Sequence, residues 1–168
     1  MKFLYVLRHA KSDQGDESLR DFDRPLNDRG RKAAWAIGRE LLDRGIEPDL
    51  VLSSPAVRAR QTIEGVQEGF GQDLDAIDVR RLYLADAETL IDLVRSTPSG
   101  TSRLMIVGHN PGLQQLVLAL SADGALREEA AEKFPTAALA EIRFDMEAWT
   151  DVAPGTGELT SLLKPREL

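Results

Sequence analysis

Three unbroken apolar runs, each passing straight into a polar turn and then into helical periodicity, constrain this 168-residue chain more than anything else in it. Phe3-Leu4-Tyr5-Val6-Leu7, Leu50-Val51-Leu52 and Leu104-Met105-Ile106-Val107 are continuous rather than alternating. Such runs suit strands buried on both faces, which need helices above and below them. The helical stretches follow in turn. Asp28 to Asp43 places Ala34, Ile37 and Leu41 on one face, with Asn27 as N-cap and Gly45 as stop. Ser54-Pro55 reads as a cap and first turn for a helix burying Ala56, Ala59, Ile63, Val66 and Phe70. Gly108-His109-Asn110-Pro111 turns into a helix over 112–120, with Asn as cap and Pro first. A weaker strand is expected over 77–82, a helix over 88–95, and a strand near an edge over 137–144. The expected architecture is α/β: a three-layer α-β-α sandwich with a mostly parallel central sheet, in a single domain spanning 1–168.

Charge and composition narrow the partners. The net charge is −7, so neither nucleic acid nor an anionic membrane is an expected partner, and any phosphate site must be a local cluster of positive charge. With no cysteine, disulfides, thiolate nucleophiles and cysteine-based zinc sites are excluded together. The N-terminal apolar run is cut off by Arg8, shorter than a secretion signal requires. A soluble, cytoplasmic protein is expected. The charged segment 11–24 is long for a connection in a compact domain, either a functional loop or a solvated one. The tail after Val152 is Gly- and Thr-rich, and its last residues are expected to fray.

The chain has two histidines, His9 and His109, and each directly follows an apolar strand. In a mainly parallel sheet these strand ends share the rim where ligands bind. Arg8 adjoins His9, and Arg58 lies in the first turns of the helix after Ser54-Pro55. Guanidinium forks and helix N-termini both suit phosphate. Periodicity alone does not separate Arg58 from Arg60.

These residues carry a resemblance. Leu7-Arg8-His9-Ala10 resembles the RHG signature of the histidine phosphatase superfamily, with Ala10 in place of Gly. Ser53 to Thr62 (SSPAVRARQT) resembles its SSPxxRAxQT motif, and Val107-Gly108-His109-Asn110-Pro111 its VGHNP motif. Phe134 to Leu139 (FPTAAL) is similar to the short SixA-like phosphohistidine phosphatases. The resemblance covers about residues 3 to 144 and implies a phosphoglycerate mutase-like fold. It also assigns roles. His9 would be the nucleophile, with Arg8, Arg58 and His109 around the transferring phosphoryl oxygens, and Ser12 as a further phosphate contact. It prefers Arg58 over Arg60. It places a general acid after the third strand, where Asp86 and Glu88 lie; Asp86 doubles as a helix N-cap, and Asp13 is a third candidate.

The implied activity is a metal-independent, cofactor-free phosphatase working through a covalent phosphohistidine. Its substrate would be a phosphohistidine on a protein or, alternatively, a small phosphorylated metabolite such as a sugar or nucleotide. A mutase of the same superfamily would need long insertions that this chain lacks. Zinc-hydrolase, serine-hydrolase and P-loop motifs are absent. A non-catalytic phosphate- or phosphopeptide-binding module could keep the arginines, but has no need of a strand-end His9 with a free ring nitrogen.

Overall fold

The structure, a computed structural model, describes residues 1–165. The long apolar runs become β1 (Lys2–Arg8), β2 (Leu50–Ser53) and β4 (Arg103–Gly108), joined by the two-residue β3 (Ile77–Asp78), β5 (Leu139–Phe144) and β6 (Glu158–Leu163). The helices are α1 (Asp28–Asp43), α2 (Val57–Phe70), α3 (Ala87–Arg95), α4 (Gly112–Leu120) and α5 (Ala125–Glu132). One six-stranded sheet runs in the order β3-β2-β4-β1-β5-β6. The first four strands in that order are parallel; β5 is antiparallel to β1, and β6 to β5.

The continuity of the apolar runs now has its cause. Leu4 and Val6 of β1 pack with Leu104, Ile106 and Ile142 against α3 and α4. The intervening Tyr5 and Leu7 pack with Val51, Met105 and Val107 against α1 and α2. Adjacent residues of one strand therefore serve opposite cores, and no position is left for a polar side chain. The α1–α2 pair closes unusually tightly. A Cβ on Gly38 would lie 2.0 Å from the Val66 carbonyl oxygen, and one on Gly69 would lie 2.0 Å from that of Trp35. Only glycine permits that approach.

Several local expectations change. Asn27 caps α1, its side chain accepting from the Gly30 N–H at 2.9 Å. Ser54 does not cap α2: its hydroxyl serves the Ala56 N–H and the His109 ring instead, and the helix starts at Val57 with Ala56 in the cap position. Pro111, not Asn110, holds the cap position of α4, while Asn110 Oδ1 accepts from the Gln114 N–H at 3.1 Å. The strand expected over 77–82 stops at Asp78. A 3-10 turn over Arg80–Leu82 follows it and sends Leu82 into the core. The strand expected near an edge over 137–144 is β5, one strand in from the edge, with β6 pairing along its far side. Neither β6 nor α5 was expected. The expected fraying concerns the last residues, and 166–168 lie outside the described residues. No helix among the described residues is long and apolar enough to cross a membrane.

Candidate active site

Strand register brings the histidines together. Arg8 lies opposite Gly108 where β1 pairs with β4, so His9 and His109 leave neighbouring strands side by side. Their ring centroids are 5.2 Å apart, with planes inclined at 53°. On the other flank of β4, Ser53 lies opposite Val107, so Ser54 and the first turn of α2 reach the same rim. The C-terminal ends of three parallel strands thus converge on one point.

His9 is 7% exposed. Its Nδ1 lies 2.7 Å from the Ala10 carbonyl oxygen, which can only accept, so Nδ1 carries the proton. The other nitrogen, Nε2, keeps its lone pair and receives the Arg58 Nε–H at 3.4 Å. Burial, together with the charges of Arg58, Arg8 and Arg24 and against the pull of the Ala10 carbonyl, lowers the His9 pKa to about 4. At neutral pH the ring is uncharged, with one aimed nucleophilic nitrogen.

His109 is neutral for the same main reason. Burial first, then the charge of Arg58, lowers its pKa to about 3. Its Nε2 is 2.7 Å from Ser54 Oγ. That oxygen accepts from the Ala56 N–H at 3.2 Å, and its own proton has an acceptor in the neutral ring when His109 Nε2 carries the lone pair. This assignment leaves the His109 proton on Nδ1, a buried atom without a protein partner among the described residues. An unpaired buried donor is costly unless a ligand satisfies it.

Arg58, 3% exposed, is held from several sides. It donates to the Asp21 carbonyl oxygen at 2.7 Å and to Asp21 Oδ2 at 3.0 Å, as well as to His9. The Tyr83 hydroxyl and the Arg24 guanidinium also donate to the Asp21 carboxylate. Burial alone would raise the Asp21 pKa. The bonds from Tyr83, Arg24 and Arg58 reverse this and hold the group well below the usual carboxylate range. Asp21 is a permanent anion that orients Arg58. Thr62 ties the motif together, accepting from the Ala10 N–H at 2.9 Å and donating to the Arg58 carbonyl at 2.7 Å. Arg60, by contrast, is exposed and faces Asp78 at 3.8 Å. It lines a different cavity, of about 370 Å³.

The segment before β5 clamps the other side. The Phe134 carbonyl accepts from Arg8 Nη1 at 3.1 Å and from Asn110 Nδ2 at 2.9 Å. Ala137, at φ 61°, sends its N–H to the carbonyls of Arg8 and His9. Arg8 Nε is buried without a partner among the described residues, a second unsatisfied donor at the site.

The structure therefore gathers His9, Arg8, Arg58, His109, Ser12 and Asp13 on one cleft of about 1080 Å³. Ser12 Oγ accepts from Arg24 at 2.6 Å, and Asp13 Oδ1 accepts from the Gly15 N–H at 2.8 Å. Asp86 does not join them. Its side chain caps α3 by accepting from the Thr89 N–H at 2.9 Å, and that bond lowers its pKa. Glu88 lies exposed in the first turn of the same helix. Residues that sequence reasoning passed over are Ser54 and Thr62, which lay inside the quoted motif, and Asp21 and Tyr83, for which the sequence holds no local signal.

Comparison with known proteins agrees with this geometry. The sequence model of the histidine phosphatase superfamily (branch 1) matches residues 4–82. The chain is 37% identical to an uncharacterised protein of Mycobacterium tuberculosis over 95% of its own length and all of that protein. It is 31% identical to an uncharacterised chloroplastic protein of Arabidopsis thaliana, covering 96% of this chain and 77% of that one. Among solved structures it is similar to a candidate phosphohistidine phosphatase SixA from Agrobacterium tumefaciens, with 32% identity, 98% coverage of each chain and a TM-score of 0.83. The fold also matches that of the protein histidine phosphatase SixA complexed with tungstate, at 22% identity, 98% coverage of each chain and a TM-score of 0.81. Sharing this sequence signature and the phosphoglycerate mutase-like α/β fold of those structures, the chain belongs to the histidine phosphatase superfamily.

Proposed function

We propose that the chain is a phosphatase that removes phosphate from phosphohistidine on proteins, through a covalent phosphohistidine on His9. The observation that carries this reading is the state of His9: neutral, with Nδ1–H fixed on the Ala10 carbonyl and the Nε2 lone pair turned toward Arg58. Nε2 attacks phosphorus and the bond from phosphorus to the substrate nitrogen breaks. The charge on the phosphoryl oxygens is met by Arg8, by Arg58 and by Nδ1–H of His109. The two buried nitrogens without partners among the described residues, Arg8 Nε and His109 Nδ1, suit that task. Water then attacks the phosphorylated His9, releasing inorganic phosphate and returning the lone pair to Nε2.

The leaving group favours phosphohistidine. Asp21 is locked as an anion, and Asp86 is spent on a helix cap. An alkoxide needs a proton from the enzyme. A phosphorylated imidazole protonated on its second nitrogen carries its own and departs as neutral imidazole. The open cleft of about 1080 Å³ is larger than most small metabolites require.

The test is a comparison of single-turnover rates on a phosphohistidine peptide and on an alkyl phosphate such as a sugar phosphate, with rapid-quench trapping of acid-labile phosphate on His9. Fast turnover of the first, slow turnover of the second and label on His9 are expected. A faster alkyl phosphate reaction would assign the site to small metabolites. Absence of label, or full activity of His9→Ala, would remove the covalent mechanism.

A further inference from the structure

The cleft holds more positive charge than one phosphoryl group uses. Among the described residues, seven basic residues line it and one carboxylate does, Asp13, in a chain that carries 28 acidic residues against 21 basic ones. Some of this charge is internally compensated: Arg58 and Arg24 pair with Asp21, and one lysine pairs with Glu129. Lys11, Arg29 and Lys133 are different. They come from three separate segments, are exposed, and line the same cleft. No carboxylate among the described residues lies within ion-pair distance of any of them.

Arg29 and Lys11 sit where added positive charge is unfavourable, whereas Lys133 is the C-cap residue of α5, where a cation is favoured. Arg29 is the second residue of α1, where the helix dipole disfavours a cation. Lys11 is two residues from His9 and lines the same cleft as Arg8 and Arg58, whose charges already repel: burial first and then Arg58 lower the Arg8 pKa. An anionic partner relieves this crowding. Leu84 lines the same cleft, 56% exposed and held at φ 52°, an uncommon conformation for a leucine.

We infer that Lys11, Arg29 and Lys133 form a docking rim for an acidic protein segment flanking the phosphorylated residue, with Leu84 as its apolar contact. The choice of a protein segment over a small molecule rests on the function proposed above. The rim recognises the residues around the phosphohistidine, and the buried arginines recognise the phosphoryl group.

The rim is testable without turnover. Three fluorescently labelled, unphosphorylated peptides carry a central histidine flanked by glutamates, glutamines or lysines. Fluorescence anisotropy at low salt should rank them Glu, then Gln, then Lys, and affinity for the Glu peptide should fall steeply as salt rises. The triple variants K11E/R29E/K133E and K11Q/R29Q/K133Q should bind the Glu peptide about ten-fold or more weaker, with the Gln variant losing less. The Gln variant and the wild-type salt series decide the matter if the charge-reversed protein fails to fold. Equal binding of the Glu and Gln peptides by wild type would overturn the proposal, as would unchanged affinity in the Gln variant. So would competition by glutarate as effective as by the Glu peptide, since that would make the rim a small-diacid site. Wild-type hydrolysis of phosphohistidine, measured separately, reports on the proposed function and not on the rim.

Discussion

Replacing Arg58 separates this site from any other arrangement of the same motif. In the folded chain the guanidinium is 3% exposed and donates to His9 Nε2, the Asp21 carbonyl and the Asp21 carboxylate. Losing a preorganised donor of this kind at a transition state costs about 3–4 kcal/mol, or roughly a hundred- to a thousand-fold in rate. Arg58→Ala should therefore lower kcat/KM by that factor on any phosphorylated substrate. Arg58→Lys keeps the charge but loses the fork and should recover only part of it. Arg60→Ala should stay within about two-fold of wild type, because that side chain is exposed and lines another cavity. Folding should survive. Asp21 is nearly half exposed and keeps its bonds from Tyr83 and Arg24, and removing Arg58 relieves Arg8 of a like charge. A pH series adds an independent reading. In the proposed mechanism His9 attacks only when neutral, so activity should fall as pH drops through its pKa of about 4. Arg58 is one of the charges lowering that value, so Arg58→Ala should move the acid limb upward. Equal losses from Arg58→Ala and Arg60→Ala, or an acid limb that stays in place, would refute the reasoning.

Three further outcomes are expected. Ser54→Ala releases the His109 tautomer and should slow turnover by about ten-fold, with nitrogen-15 shifts showing the His109 proton no longer confined to Nδ1; unchanged shifts would break the argument. Asp86→Ala should lower the melting temperature through the lost cap and leave kcat alone; a large loss of kcat would restore Asp86 to the site. Acidification from about pH 6.5 to 4 should lower the melting temperature, because the unfolded chain protonates His9 and His109 in that window while the folded chain keeps both neutral; a flat profile would contradict the lowered pKa values.

What the sequence disclosed depended on whether a physical signal was local. β1, β2 and β4 were legible because residues buried on both faces leave no polar position to confuse the pattern, and α1 because Asn27 caps it in the expected way. α5 was not legible: only Ala130 is buried in it, so ALREEAAE shows no apolar stripe. β6 was hidden by an irregularity in its pairing with β5 at Glu141/Ile142, which interrupts the period-two alternation. At the site, strand-end position and motif identified the two histidines and Arg58. Nothing nearby in the chain indicates that Asp21 meets a side chain 37 residues away, or that Tyr83 reaches it from 62 residues away. Ser54 was misread because the same hydroxyl that makes a good cap also makes a good partner for a histidine ring, and only the register of β2 on β4 decides between them.

The clamp formed by Phe134 and Ala137 bears on the birth of the enzyme at the ribosome. His9 and Arg8 are made well before the groups that fix them: their carbonyls accept from the Ala137 N–H, and the Arg8 side chain donates to the Phe134 carbonyl 126 residues later. That segment leads directly into β5, which sits between β1 and β6, so it is held in place only when β5 and β6 have emerged. A nascent chain with every motif up to His109 still lacks the contacts that aim them. Completion of the site therefore waits for β5 and β6, and activity should report the pairing of those strands rather than the presence of His9 alone.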